Sequence, residues 1–162
     1  MKYIINEHQY KLLLEQDDIL RIPFSAFGNN WDDLQKYLER RGNPPYEITG
    51  NLILKNSEFE SLGNLTSVGG DLIIGLGNIE SLGNLTSVGG HVMFLNTNIT
   101  SLGNLTSVGG DINVGGNKKL KSLGNLTSVG GNLTISKTPL AKKYSGEEIR
   151  SMVEVGGDVY IW

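Results

Sequence analysis

The chain has 162 residues, an apolar content of 38% and a formal net charge of -3 at pH 7, enough for one domain with a continuous core. No run of Lys or Arg supplies the positive stripe that nucleic acid or an anionic membrane requires, so neither is expected as a partner. Cysteine is absent, which excludes disulfides and thiolate metal sites and fits a reducing cytosol.

The opening stretch, MKYIINEHQYKLLLEQ, lacks the apolar core of a signal peptide, and nowhere do apolar residues run long enough to cross a bilayer. A cytoplasmic protein is the expectation. Residues 1–47 differ from the rest in composition and read as a helical amino-terminal cap. A first helix is expected after Asn6, with Gln9 three places on and Tyr10, Leu13 and Leu14 on one face. A short strand follows at Ile19 to Ile22. A second helix begins near Asn30, presents Trp31, Leu34, Tyr37 and Leu38, and stops at Gly42 before Asn43-Pro44-Pro45.

Residues 48–162 are dominated by repetition. The decapeptide SLGNLTSVGG occurs four times without change, beginning at Ser61, Ser81, Ser101 and Ser122, with spacings of 20, 20 and 21 residues. Apolar positions recur with it: Leu62, Leu65, Val68, Leu72, Ile74 and Ile79 in the first unit, and their counterparts in the next three. A unit this short cannot bury both of its faces, so successive coils must stack, each sheltering the apolar edge of its neighbour. The expected architecture is therefore a solenoid.

Alternation just after Gly-Gly places the strand: Leu72 and Ile74 inward, Asp71, Ile73 and Gly75 outward. One strand per coil gives a parallel sheet. Two divergent strands, near Gly50 to Leu54 and Gly156 to Ile161, bring the expected number to six, hence about six coils. The copied half reads as turn and core, where every coil solves the same packing problem, and the glycine pairs as sharp turns that need positive φ or close backbone approach. A short helix headed by Ser145, with Glu148 at the capping-box position, is expected near residues 145–152, interrupting the last coil.

The pattern L-x-x-L-x-x-V-x-G-x-L-x-I, followed after three residues by Gly77, Thr97, Asn117 or Thr138 and an apolar residue, resembles short leucine-rich repeats. It also resembles the receptor L-domain variety of β-solenoid. The resemblance covers residues 48 to 140 and, weakly, the last strand. Leucine-rich repeats usually carry Asn or Cys at that post-strand place, which varies here. Near-identical SLGNLTSVGG units also look like those of uncharacterised bacteriophage and bacterial proteins, which implies the cytoplasm of a bacterial host. The resemblance implies an α/β repeat fold that binds proteins, or less often glycans, without chemistry of its own.

The outward columns of the strands are where function is expected. The middle one reads Ile53, Ile73, Met93, Asn113, Thr134 and Tyr160, and a second reads Lys55, Gly75, Leu95, Gly115, Ser136 and Trp162. The apolar cluster of Ile53, Ile73, Met93 and Leu95 on an otherwise solvated face has the character of a partner surface. The competing expectation is that the amino-terminal segment folds over it, or that β propensity alone filled the strands. The third column, Asn51, Asp71, His91, Asp111, Asn132 and Asp158, sets His91 between two carboxylates; a solvated ladder is expected, since metal binding would need a second nitrogen ligand.

The partner-binding candidates are thus Ile53, Ile73, His91, Met93, Leu95, Asn113, Thr134, Tyr160 and Trp162, with no cofactor, no metal and no catalytic residue. Asn-Leu-Thr sequons have no consequence without secretion, and Gly-Gly-Asp strings lack the unit length of calcium-binding β-rolls. No Cys, no His pair and no Ser-His-Asp spacing suggests an enzyme. Three classes of function follow. The leading one is a non-enzymatic module docking a protein partner on the strand face. The alternative is an assembly component of a larger particle, self-associating through a strand edge. Least favoured is a glycan or ice lattice binder using the columns Asn64, Asn84, Asn104, Asn125 and Thr66, Thr86, Thr106, Thr127.

Overall fold

The computed structural model describes residues 19–55 and 58–162; the helix expected after Asn6 lies outside them. The chain is a parallel β-solenoid. Its strands in chain order are β1 (Leu20–Ile22), β2 (Tyr46–Ile48), β3 (Leu52–Lys55), β4 (Leu65–Val68), β5 (Leu72–Gly75), β6 (Ser87–Val88) and β7 (Val92–Leu95). They continue as β8 (Ser107–Val108), β9 (Ile112–Asn113), β10 (Ser128–Val129), β11 (Leu133–Thr134), β12 (Glu154–Val155) and β13 (Val159–Tyr160). Two sheets result: a seven-stranded one in the order β1-β2-β4-β6-β8-β10-β12, and a six-stranded one in the order β3-β5-β7-β9-β11-β13.

The six-stranded sheet is the one the alternating residues foretell. The seven-stranded sheet corrects the expectation of one strand per coil. Four of its strands, β4, β6, β8 and β10, come from the Leu-Thr-Ser-Val of the copied decapeptide, and in the first of them only the two ends, Leu65 and Val68, are buried. That spacing breaks a period of two, and Thr and Ser beside glycines read as turn residues. The hydroxyls are used in the stacking itself: Thr86 Oγ1 donates to the Thr66 carbonyl at 3.0 Å, and Thr106 Oγ1 to the Thr86 carbonyl at 2.9 Å. Each copied unit is thus one solenoid turn holding a strand of each sheet.

Register is strict because identical residues meet identical surroundings one coil away. Val68 pairs with Val88, Val88 with Val108, Val108 with Val129; Leu72 pairs with Val92, Val92 with Ile112, Ile112 with Leu133. Leu65, Leu85, Leu105 and Leu126 are all buried, and a single apolar cluster runs from Leu20 to Val153 through the interior. Such continuity makes each coil depend on its neighbours.

The glycine pairs sit at bends between the two sheets, as expected, and there close approach, not positive φ, requires glycine. A β-carbon on Gly109 would be driven into the carbonyl oxygen of Gly89 in the preceding coil, so the coils stack closely only where side chains are missing. The left-handed residue is instead the glycine of Leu-Gly-Asn, as at Gly83 with φ +60°.

The helix α1 (Trp31–Glu39) begins where expected, its first turn closed by Asn30, which accepts from the Asp33 N–H at 3.1 Å. Trp31, Leu34 and Leu38 point into the core cluster shared with Tyr46. Near the other end, Thr138 caps α2 (Pro139–Lys143), a short helix not foreseen in the sequence, and Ser145 caps α3 (Gly146–Met152). In α3 both halves of the capping box form: Glu148 N–H donates to Ser145 Oγ at 3.2 Å, and Ser145 N–H to Glu148 Oε2 at 2.7 Å.

Candidate partner-binding face

The outward residues of the six-stranded sheet align in register. Ile53 sits opposite Ile73, Ile73 opposite Met93, Met93 opposite Asn113, Asn113 opposite Thr134 and Thr134 opposite Tyr160. Leu95 lies opposite Gly75 in the neighbouring column, and Trp162 follows β13 as the final residue. Ile53 is 43% exposed, Leu95 44% and Trp162 83%, while Ile73 and Met93 are half-buried. The described residues therefore leave this apolar cluster open to solvent.

One further apolar residue belongs with it. Leu76 is 63% exposed and holds φ at +52°, a left-handed conformation uncommon for leucine. Its N–H donates to the Leu95 carbonyl at 2.9 Å, which sets it at the border of the patch. The alternation of β5 ends at Gly75, so period alone could not place Leu76; only the turn conformation does. At the amino-terminal end of the face, a trough of about 500 Å³ opens between the start of α1 and β3, lined by residues that include Asn30, Trp31, Ile53, Leu54, Glu58 and Phe59. Trp31 and Phe59 stack there with ring centroids 5.0 Å apart.

The third outward column is a hydrogen-bonded ladder. Asn51 Oδ1 accepts from the Asp71 N–H at 2.8 Å, Asp71 Oδ1 from His91 N–H at 2.8 Å, and His91 Nδ1 from Asp111 N–H at 2.9 Å. Asp111 Oδ1 then accepts from Asn132 N–H at 2.7 Å, and Asn132 Oδ1 from Asp158 N–H at 2.8 Å. His91 Nδ1 also stands 3.5 Å from Asp111 Oδ2. His91 is thereby brought to the face with the other candidates, but its ring nitrogen nearest Asp111 serves the backbone. Among the described residues no three His, Cys, Asp or Glu side chains gather as a metal site would require.

The Asn and Thr columns of the copied segments are mostly exposed but hydrogen-bond along the solenoid axis. Thr66 Oγ1 donates to the Tyr46 carbonyl and Thr127 Oγ1 to the Thr106 carbonyl. Asn64 Nδ2 donates to the Asn43 carbonyl, Asn84 Nδ2 to Asn64 Oδ1 and Asn104 Nδ2 to the Gly83 carbonyl. These donors are spent on neighbouring coils. The serines beside them, Ser67, Ser87, Ser107 and Ser128, line a shallow trough of about 620 Å³ across the seven-stranded sheet, a feature hidden until that sheet is known.

No helix among the described residues is long and apolar enough to cross a membrane. No family model, no curated protein and no solved structure matches the chain.

Proposed function

We propose that this chain is a non-enzymatic repeat module, of leucine-rich-repeat type with about six coils, that docks a protein partner on the outward face of its six-stranded sheet. On this reading it works in a cytoplasm, that of a bacterial host if it is phage-encoded, and the segment before β3 caps the solenoid. The observation that carries it is the exposed apolar cluster of Ile53, Leu76 and Leu95, continued by the half-buried Ile73 and Met93. A face of this kind costs solvation free energy unless something covers it, and apolar patches rimmed by polar residues are typical of interaction surfaces. The polar rim is present here as the ladder from Asn51 to Asp158. Strands paired in register with their neighbours hold such a face in place, so little ordering entropy opposes docking.

The test compares the parent with an Ile73→Arg, Met93→Arg variant of equal helicity and melting temperature in affinity capture from bacterial lysate. A protein retained by the parent and lost by the variant supports the face, and purified binding with the same dependence establishes it. Equal capture by both would sink it.

A further inference from the structure

Charge is segregated along the solenoid. Residues 56–117 contain no Lys or Arg, whereas residues 112–146 contain six lysines and no Asp or Glu. The contrast is clearest at the corner that follows the six-stranded sheet, where each coil turns toward its copied serine. Three places before Ser61, Ser81, Ser101 and Ser122 stand Glu58, Asn78, Asn98 and Lys119, and one place before them stand Glu60, Glu80, Thr100 and Lys121. Stacking keeps these places aligned: Glu80 N–H donates to the Glu60 carbonyl and Lys121 N–H to the Thr100 carbonyl, both at 2.9 Å. The Glu and Lys side chains of both columns are exposed, and none forms an ion pair among the described residues. The corner borders the apolar cluster, since Leu76 lies on it and Glu58 lines the same trough as Ile53.

An acidic end, an apolar middle and a basic end let a surface recognise its own reversed copy. A two-fold axis parallel to the strands and midway between β5 and β7 lays the six-stranded sheets of two copies face to face, with their coils running in opposite directions. Because the strands are in register within each sheet, β5 of each copy then meets β7 of the other, and β3 meets β9. Ile73 faces Met93, Asp71 faces His91, and the exposed Leu95 lies over Gly75, which has no side chain to oppose it. At the corners Glu58 faces Lys119 and Glu60 faces Lys121, each pair occurring twice. The neighbouring registers fail on charge. An axis on β5 sets Asp71 and Glu80 against their own counterparts, and an axis on β7 sets Asp71 against Asp111 and Ile73 against Asn113. Like charges brought together cost binding and so fix the register. Packed sheets lie about 10 Å apart, a gap that Glu and Lys side chains reach across from the rim.

We propose that the partner docked on this face is a second copy of the chain, in an isologous two-fold dimer centred between β5 and β7, a proposal that rests on the docking role given to the six-stranded sheet. Four overlapping coils at about 4.8 Å each make a contact about 19 Å long, which is small among specific interfaces, so the dimer is expected to be weak and exchanging.

The test is sedimentation equilibrium of the full chain across a wide concentration range. Three double variants that melt with the parent accompany it: Lys119→Glu with Lys121→Glu, Glu58→Lys with Glu60→Lys, and Ile73→Arg with Met93→Arg. The parent is expected to rise from one chain mass toward two and no further. Each charge variant alone turns four attractive pairs into four like-charge pairs, and its dissociation constant is expected to rise at least about tenfold. Mixed in equal amounts, the two charge variants again set Glu against Lys at both corners, and dimers are expected to return as heterodimers. Ile73→Arg with Met93→Arg is expected to stay monomeric. A dimer that survives Ile73→Arg with Met93→Arg, or a mixture that fails to restore what its components lost, overturns the proposal. A monomeric parent overturns it too, and lysate capture then separates the two claims: a captured protein lost with Ile73→Arg and Met93→Arg leaves the docking face standing without the second copy, whereas equal capture removes both.

Discussion

Asn117 Oδ1 accepts two hydrogen bonds from Thr97, one from its N–H at 2.9 Å and one from its Oγ1 at 2.8 Å. The same amide donates from Nδ2 to the carbonyls of Phe94 and Val114, both at 2.8 Å. All four hydrogen-bonding positions of the side chain are filled in the interior, which ties two coils together at the post-strand place where leucine-rich repeats usually carry Asn or Cys. The full ladder of that family is absent, since the other units hold Gly77, Thr97 and Thr138 there. Asn117→Ala strands two buried carbonyls, the Thr97 N–H and the Thr97 hydroxyl. Each such group costs about 1–3 kcal/mol, so urea denaturation is expected to show a loss of about 3–5 kcal/mol. A loss under about 1 kcal/mol would mean that water or a shifted backbone replaces the amide.

The ladder through His91 makes a different prediction, because it lies at the surface. His91→Asn keeps an acceptor, as Asn51 and Asn132 do in the same column, and is expected to melt with the parent. His91→Leu leaves Asp111 N–H without that acceptor and is expected to cost about 1 kcal/mol, the net worth of one hydrogen bond. Equal melting of the two variants would show that solvent substitutes freely for the ring nitrogen.

Two glycines of the copied segment separate steric approach from backbone conformation. Gly109→Ala forces a methyl group against the Gly89 backbone of the coil before, whereas a methyl on Gly103 meets open space but must hold φ near +58°. The left-handed conformation costs an L-residue about 1–2 kcal/mol, which is the loss expected for Gly103→Ala in chemical denaturation. Gly109→Ala is expected to cost more and to loosen the coils on both sides, read as faster amide exchange at Gly89 and Gly109.

Two titrations bracket the stability of the fold. The Glu148 carboxyl is held below its ordinary value, first by the Ser145 N–H donated to it and then by the Ser145 hydroxyl. A lowered folded value means that its contribution is present above the ordinary carboxyl range and is lost as pH falls through the folded value. Glu148→Gln is expected to flatten that acid limb. Burial pushes the Tyr46 hydroxyl up to about 12, slightly opposed by the hydrogen bond from Gln35. A raised folded value means full stability below the ordinary tyrosine value of about 10 and progressive loss between there and about 12. Thermal melts of Tyr46→Phe are expected to lack that alkaline fall.

The sequence by itself determined the solenoid, the stacking columns, the six-stranded sheet, the cap at Asn30 and the capping box at Ser145 and Glu148. Each is written in a local period or a short-range pairing of residue types, and four identical copies force every unit to solve one packing problem. Only the tertiary structure decided the rest. The four middle strands of the second sheet are made by Leu-Thr-Ser-Val, whose strand character comes from hydrogen bonds to neighbouring coils and not from alternation within the segment. The exposure of Leu76 depends on one left-handed φ. The contacts of Arg150 arise because α3 folds back beside β12 and β13, where a residue that reads as an ordinary helix-end cation reaches the Val155 and Gly157 carbonyls.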